Sequence, residues 1–113
     1  MSYVSTIEVV QNDYGYDLEF KLTDASGNAV DLTGAVTVKV FIAEAGSSTA
    51  KVSGECTVTD ASAGLCKYTV EDGDFDTAGK TYMVEVEVTY ASKVVTARGV
   101  VVKVLAELPE STS

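Results

Sequence analysis

The stretch that most constrains the fold runs from residue 76 to residue 90, DTAGKTYMVEVEVTY. From Tyr82 onward every second residue is Tyr or Val, and the residues between them are Met, Thr and two glutamates. Successive side chains of a β-strand point to opposite faces, so this pattern predicts a strand with one apolar face and one mostly acidic face. A strand of this kind needs a second apolar layer to cover its buried face.

The residues before this strand indicate which kind of β-fold it belongs to. Asp76 and Gly79 predict a structural turn, and Tyr82 follows at the start of the strand. This order is typical of the tyrosine corner that opens a late strand of immunoglobulin-like sandwiches. We therefore expect the Tyr82 ring to lie in the core and its hydroxyl to bond to the backbone of residues 76–79.

Other alternating segments are separated by clusters of Asn, Asp, Ser and Gly, which are typical of turns. No segment has the 3.6-residue period of an amphipathic helix, and Gly99 inside the last strand indicates a β-bulge. The sequence predicts an all-β, immunoglobulin-like β-sandwich of about seven antiparallel strands. The predicted strands are 3–10, 16–23, 35–43, 51–59, 65–70, 82–90 and 93–105.

A chain of 113 residues, 46% of them apolar, is expected to form one domain around one core. We assign residues 1–106 to this domain and residues 107–113 to a flexible C-terminal tail. No apolar run approaches the roughly 18 residues of a membrane-spanning helix. No basic segment precedes an apolar one at the N-terminus, so we expect no signal peptide.

Charge and composition exclude several function classes. Eight basic and 17 acidic residues give a net charge of −9, which argues against nucleic acid or an anionic membrane as a partner. The chain has no histidine, the commonest general base and a frequent zinc ligand, so we expect no enzyme and no catalytic residues. We also expect no cofactor, apart from a possible calcium ion.

The two cysteines, Cys56 and Cys66, lie on either side of the turn at residues 60–64. If Val58 pairs with Gly64, the two cysteines are directly opposed and could form a disulfide that staples one hairpin. Two buried, reduced cysteines are an equally good interpretation. A redox-active pair is a weaker alternative, because Lys67 is the only basic residue next to either cysteine.

The densest acidic cluster is EDGDFD at residues 71–76. Alternating Asp72, Asp74 and Asp76 around a glycine could supply oxygen ligands to Ca²⁺, although no glutamate completes an EF-hand loop. The stronger interpretation is a polar turn in which aspartate caps backbone N–H groups and Phe75 packs under the end of the sandwich.

The order of segments resembles a known family. The start of the chain, STIEVVQNDYGYDLEFKLTDASGNAVDLTGA, is similar to the immunoglobulin-like domain at the N-terminus of tailed-phage baseplate upper proteins. The later segments GECTVTDASAGLCKYTV and GDFDTAGKTYMVEVEVTY are similar to the same family and to small stand-alone phage virion proteins. The resemblance covers about residues 5–105. Members of this family carry no catalytic residues, so the resemblance implies none here.

The resemblance implies a non-enzymatic bacteriophage structural protein that docks on the particle and is assembled in the host cytoplasm. Attachment at the baseplate or tail fibre and decoration of the capsid are both open. Its partners would be other virion proteins, either further copies of itself or a major structural subunit. Repeated docking on a symmetric surface lets weak contacts add up.

Residues 3–10 are the candidate edge strand for these contacts. Sheet edges can pair with a neighbouring chain, and this strand has only Glu8 as a charge that would discourage such pairing. The candidate interface residues are Tyr3, Thr6, Glu8 and Val10.

The alternative function is a host-surface or glycan-binding adhesin module. Its binding face would consist of Tyr14, Tyr16 and the loops at residues 44–49 and 71–80. The absence of tryptophan weakens this alternative, because carbohydrate sites commonly use exposed aromatic platforms.

Overall fold

The structure is a computed structural model that describes residues 5–24 and 26–107. All regular elements in these residues are β-strands, and they contain no helix that is long and apolar enough to cross a membrane. The strands are β1 (Ser5–Val10), β2 (Asp17–Lys21), β3 (Thr37–Glu44), β4 (Val52–Glu55), β5 (Thr57–Asp60), β6 (Leu65–Thr69), β7 (Thr81–Thr89) and β8 (Val94–Leu105).

The strands form two sheets that enclose one core. The larger sheet has the order β1-β8-β7-β3-β4, and the smaller sheet has the order β2-β6-β5. Strands β2, β6 and β5 form one layer, and β4, β3, β7 and β8 lie in the other, as in a two-layer β-sandwich. The predicted all-β sandwich is confirmed. It differs from the prediction in having eight strands among residues 5–24 and 26–107, and in the parallel pairing of β1 with β8.

The residues that alternate along the sequence lie alternately in the core and on the surface of the structure. The apolar residues of β7 face inward, whereas Met83 is 44% exposed on the opposite face. The smaller sheet contributes the same pattern, with Leu18 and Phe20 of β2 and Cys66 and Tyr68 of β6 buried. Burial of these side chains against the larger sheet is the main favourable term for a two-layer fold of this size.

The predicted strand 51–59 is two strands, and the chain crosses between the sheets at Cys56. The Cys56 amide still donates to the Val38 carbonyl of the larger sheet, with an N–O distance of 2.8 Å. The next residue, Thr57, already pairs with Lys67 of the smaller sheet. The prediction of one continuous strand was wrong, because the alternation of apolar and polar residues does not specify which sheet a residue joins.

The register predicted for the β5–β6 hairpin was also wrong. Val58 pairs with Cys66 and not with Gly64, so Cys56 and Cys66 are not opposed across the ladder. Gly64 belongs to the turn instead: its φ is +72°, its amide donates to the Ala61 carbonyl, and its own carbonyl accepts from Leu22. A left-handed conformation of this kind favours glycine.

The bulge predicted at Gly99 is confirmed. Val84 of β7 pairs with Val100, and the next residue, Glu85, pairs with Arg98. Gly99 is therefore the extra residue on β8, which lets a 12-residue strand keep its apolar side chains inward on both sides of the bulge.

Candidate docking site

Strand β1 lies at one edge of the larger sheet, as predicted for the candidate interface. It pairs with β8 from Ser5 opposite Val100 to Val10 opposite Leu105, and it has no strand on its other side within the described residues. An edge strand presents backbone N–H and C=O groups that a strand from another chain can use. The predicted contact residue Tyr3 lies outside the described residues.

The four sheet edges differ in length and charge. β1 has six residues and one charge, Glu8, whereas β2 has five residues and three charges, Asp17, Glu19 and Lys21. β4 and β5 have only four residues each. Short length and charge both discourage pairing with a neighbour, so β1 is the most open edge of the four.

The inner face of β1 is anchored, and its outer face is open. Val9 is buried in the core, and Ile7 packs against it. On the outer face the three described candidates, Thr6, Glu8 and Val10, are all exposed. The strand is therefore held in place by its apolar side while its outer side chains are free for contact.

Exposed apolar side chains occur at two places on the outer face of the larger sheet. Val10 pairs with Leu105, and both are more than a third exposed. Further along, Val101 of β8 pairs with the exposed Met83 of β7. On β8 the exposed Lys103, which pairs with Glu8 and Thr81, lies between Leu105 and Val101, so these apolar side chains form separate small patches and not one contiguous surface.

A shallow depression lies on the outer face at the β3–β4 end of the sheet. Its volume is about 390 Å³. Phe41, which alternation places on the outer face of β3, lies in this depression beside Met83. The lining residues are Phe41, Ala43, Glu44, Gly46, Ser47, Ser48, Ala50, Met83 and Glu85.

The acidic loop at residues 71–76 is a structured turn. Asp74 accepts a hydrogen bond from the Glu71 amide at 2.9 Å and another from the Tyr68 hydroxyl at 2.5 Å. Phe75 is buried, and its carbonyl accepts from the Asn12 amide. This arrangement confirms that an aspartate caps the turn and that Phe75 packs into the core.

The other two aspartates of the loop point elsewhere. Asp76 accepts a hydrogen bond from the Thr77 hydroxyl and lies 3.5 Å from the Lys51 ammonium, and these two groups hold the pKa of Asp76 below its usual value. Asp72 is exposed. Within the described ranges, no three acidic, Cys or His side chains come together as a metal site would require. Calcium binding here stays a prediction without a geometrical argument for it.

Two tyrosines reach the loop region from opposite sheets. Tyr68 donates to Asp74, and burial together with this hydrogen bond raises the pKa of Tyr68. Tyr82 is buried, as predicted, and packs edge-to-face on Phe75 with 5.7 Å between ring centroids. Among the hydrogen bonds of residues 5–24 and 26–107, none is made by the Tyr82 hydroxyl. Gly79, with a φ of +84°, donates to the Val104 carbonyl.

The contact between Tyr68 and Asp74 was missed by sequence reasoning, although a signal for half of it was available. Tyr68 alternates with Cys66 and Val70 and so belongs to the buried face of its strand. A buried tyrosine needs a partner for its hydroxyl, and Asp74 lies in the turn that follows. The sequence does not specify the direction in which the turn at residues 71–76 bends, so it does not place Asp74 beside Tyr68.

Both cysteines contribute to the core, although they are not opposed in the ladder. Cys66 is buried, Cys56 is half-buried, and both are free thiols. The interaction with Cys66 and burial raise the pKa of Cys56, whereas the interaction with Cys56 lowers the pKa of Cys66.

The residues of the alternative adhesin face are in different environments. Tyr14 is 60% exposed, whereas Tyr16 packs against the core, and its hydroxyl is buried without a hydrogen-bond partner among the described residues. The two rings therefore do not form one exposed aromatic platform. Burial, followed by the charges of Asp13 and Asp74, raises the pKa of Tyr16.

Comparison with known proteins identifies the family. The family model of the BppU N-terminal domain, the N-terminal domain of the phage baseplate upper protein, matches residues 2–113. The chain belongs to this family. Membership implies a phage structural role, a place in the virion and contacts with other virion proteins, and it favours a non-enzymatic domain. No curated protein matches the chain.

Proposed function

We propose that this domain is a non-enzymatic docking module of the phage particle, attached at the baseplate or tail fibre or on the capsid surface. The observation that carries the proposal is the match of the BppU N-terminal domain model over residues 2–113. The attachment surface is the open edge of β1, together with the outward side chains of Thr6, Glu8 and Val10. The partner is another virion subunit, either a second copy of this chain or a major structural protein.

Three properties of β1 support this choice of surface. It is the longest edge strand and has a single charge. Its inner residues Ile7 and Val9 fix it to the core, so it does not have to be ordered on binding. Exposed Val10 and Leu105 add apolar contact at one end. A strand added to this edge gains backbone hydrogen bonds, while side chains on alternate positions provide specificity.

The net charge of −9 indicates the chemistry of the partner. Complementary potentials speed association and suppress wrong partners, so a basic receiving surface fits this domain best. Repetition of the docking contact around a symmetric particle then raises the total affinity above that of one weak site.

The experiment expresses variants during infection by a phage that lacks the gene and measures the protein in purified particles by mass spectrometry. The test variant combines Thr6→Lys with Val10→Lys on β1. The control combines Ser53→Lys with Thr59→Lys, exposed positions on the edges of β4 and β5. Both variants change the net charge equally, and circular dichroism checks that each one is folded.

We expect the wild type and the control in particles, and at least a tenfold loss for the β1 variant, which corresponds to about 1.4 kcal/mol of binding. Equal incorporation of both variants would contradict the assignment to β1 and leave the virion role intact. Absence of the wild type from particles would overturn the virion role itself.

A further inference from the structure

We propose that the shallow depression at the β3–β4 end of the larger sheet binds one ring of a neutral saccharide. Its volume of about 390 Å³ is within the range of roughly 300–1,000 Å³ that is typical of small-molecule sites. The depression lies on the outer face of β3 and β7, whereas β1 is at the opposite edge of the same sheet. The inference therefore does not depend on the docking role of β1.

The floor of the depression is apolar and is built on two paired strands. Ala43 of β3 pairs with Met83 of β7, and Phe41 pairs with Glu85. Met83 is exposed and Phe41 is half-buried, so part of each side chain can still contact a ligand. An aromatic ring and a thioether side chain on a sheet surface can pack against the apolar C–H face of a sugar ring.

The loop at residues 45–50 forms one wall of the depression, and backbone hydrogen bonds hold both of its ends. The Ala45 amide donates to the Thr81 carbonyl with an N–O distance of 2.9 Å. The Lys51 amide donates to the Ile42 carbonyl with an N–O distance of 2.7 Å. Because the ends of the loop are fixed before a ligand arrives, binding loses little conformational entropy.

Two carboxylates at the rim, Glu44 and Glu85, supply hydrogen-bond acceptors. Oε1 of Glu44 lies 2.7 Å from Nζ of Lys80, and Oε2 of Glu85 lies 2.7 Å from Nε of Arg98. Within residues 5–24 and 26–107, the second oxygen of each carboxylate has no hydrogen-bond partner. Each carboxylate is therefore oriented by a cation and keeps one oxygen that can accept from a ligand.

The charges at the rim indicate the class of ligand. The two glutamates together with Lys80 and Arg98 carry no net charge, so a basic ligand would have to compete with two cations already in place. An anionic ligand would meet both carboxylates, and a purely apolar ligand would remove them from water without replacing their hydrogen bonds. A neutral saccharide has an apolar face for Phe41 and Met83 and hydroxyl donors for the carboxylates. It fits the depression without breaking either ion pair.

A single site of this kind binds weakly. The binding energy available to each ligand atom limits one sugar ring to a Kd on the order of 1 mM. Several copies of the domain on one particle would raise the affinity for a glycan-coated surface through multivalency.

The test presents the full chain, tetramerised on streptavidin through a C-terminal biotin, to an array of immobilised neutral, sulfated and sialylated glycans. We expect binding to a subset of the neutral glycans. The matching soluble oligosaccharide, titrated into the ¹⁵N-labelled protein, should shift the NMR signals of amides in residues 41–50 and 83–85. Binding should be the same at low and high salt, because the ligand has no charge.

Variants of the lining residues locate the site. Phe41→Ala removes the ring and Met83→Glu places a charge on the floor, and each should weaken binding by at least about tenfold. Glu85→Gln should weaken it by about fivefold, since a neutral amide is a weaker acceptor than a carboxylate. Val94→Ala is the matched control, because Val94 is an exposed apolar residue of the same sheet that does not line the depression. Circular dichroism checks that each variant is folded.

Three results would overturn the proposal. In the first, the wild type binds no neutral glycan on the array. In the second, a neutral glycan binds, but Phe41→Ala and Met83→Glu bind it as well as Val94→Ala does. In the third, a lysine-rich peptide shifts the same amides more strongly than any sugar and loses this binding at high salt, which would assign the depression to a basic protein partner.

Discussion

Tyr68 and Tyr82 approach the acidic loop from opposite sheets, and the two side chains are used differently. Tyr68 of the smaller sheet has a polar partner, because its hydroxyl donates to Asp74. Tyr82 of the larger sheet has an aromatic partner, because its ring packs edge-to-face on Phe75. Both tyrosines are buried to a similar degree, at 5% and 3% exposure.

The comparison shows that burial and hydrogen bonding are separate properties of a tyrosine. The position of Tyr82 after a glycine turn predicted its burial correctly, since that depends on strand alternation alone. The hydrogen bond depends on which loop atom lies next to the hydroxyl. In this fold the carboxylate of Asp74 turns toward β6, so Tyr68 holds the loop through its hydroxyl.

Gly54→Ala is expected to lower the free energy of unfolding the most. A Cβ at Gly54 would lie 2.6 Å from Cε1 of Tyr68, so the ring must move and its hydrogen bond to Asp74 is strained. Overpacking of this kind typically costs about 1–3 kcal/mol of the free energy of unfolding. Urea denaturation of the wild type and the variant measures it. An unchanged midpoint would mean that the Tyr68 side of the loop is loosely packed.

The second largest expected loss of stability is that of Tyr68→Phe, which removes the hydrogen bond from the Tyr68 hydroxyl to Asp74. We expect the free energy of unfolding to fall by about 1 kcal/mol, the usual net contribution of such a bond. Tyr82→Phe is the matched control, and we expect it to cost less, since the aromatic contact with Phe75 is kept. Denaturant unfolding of both variants ranks them. A larger loss for Tyr82→Phe would reverse the comparison and favour the predicted tyrosine corner.

The smallest expected effect is the pH dependence of the stability that Asp76 contributes to the loop. The hydrogen bond from Thr77 and the nearby charge of Lys51 hold the pKa of Asp76 below its usual value, so the folded state favours the carboxylate. The stability contributed by Asp76 is therefore present above the unfolded pKa of about 4, and it is lost as the pH falls through the folded value.

Asp76→Asn tests this dependence. We expect a small difference in the free energy of unfolding between wild type and variant at neutral pH, and no difference in acid well below the folded pKa. Asp72→Asn is the control, because Asp72 is exposed and makes no side-chain hydrogen bond or ion pair within the described residues. A difference that persists in acid would show that the Asp76 effect is not electrostatic.

The candidate docking site was predicted in part from the sequence. The sparse charge of β1 indicated an open edge, and β1 does lie at the edge of the larger sheet. The parallel pairing with β8 was not predicted, because the sequence of one strand does not specify its neighbour. The placement of Leu105 beside Val10, and of Met83 beside Val101, follows from that pairing and from the pairing of β8 with β7.

By itself the sequence determined the β-strand class of every regular element, the inward face of β7, the turns and the bulge at Gly99. Each of these depends on neighbouring residues, through the two-residue period of strands and the conformational freedom of glycine.

Tertiary structure alone decided where the chain changes sheets at Cys56, how β5 registers with β6, and which tyrosine binds the acidic loop. The physical reason is that these features depend on contacts between distant residues. The Gly64 carbonyl accepts a hydrogen bond from the Leu22 amide, and Val58 pairs with Cys66. Both cysteines therefore contribute to the core without being opposed across a ladder. A local pattern fixes which side of a strand is apolar, and packing of the whole chain fixes what that side contacts.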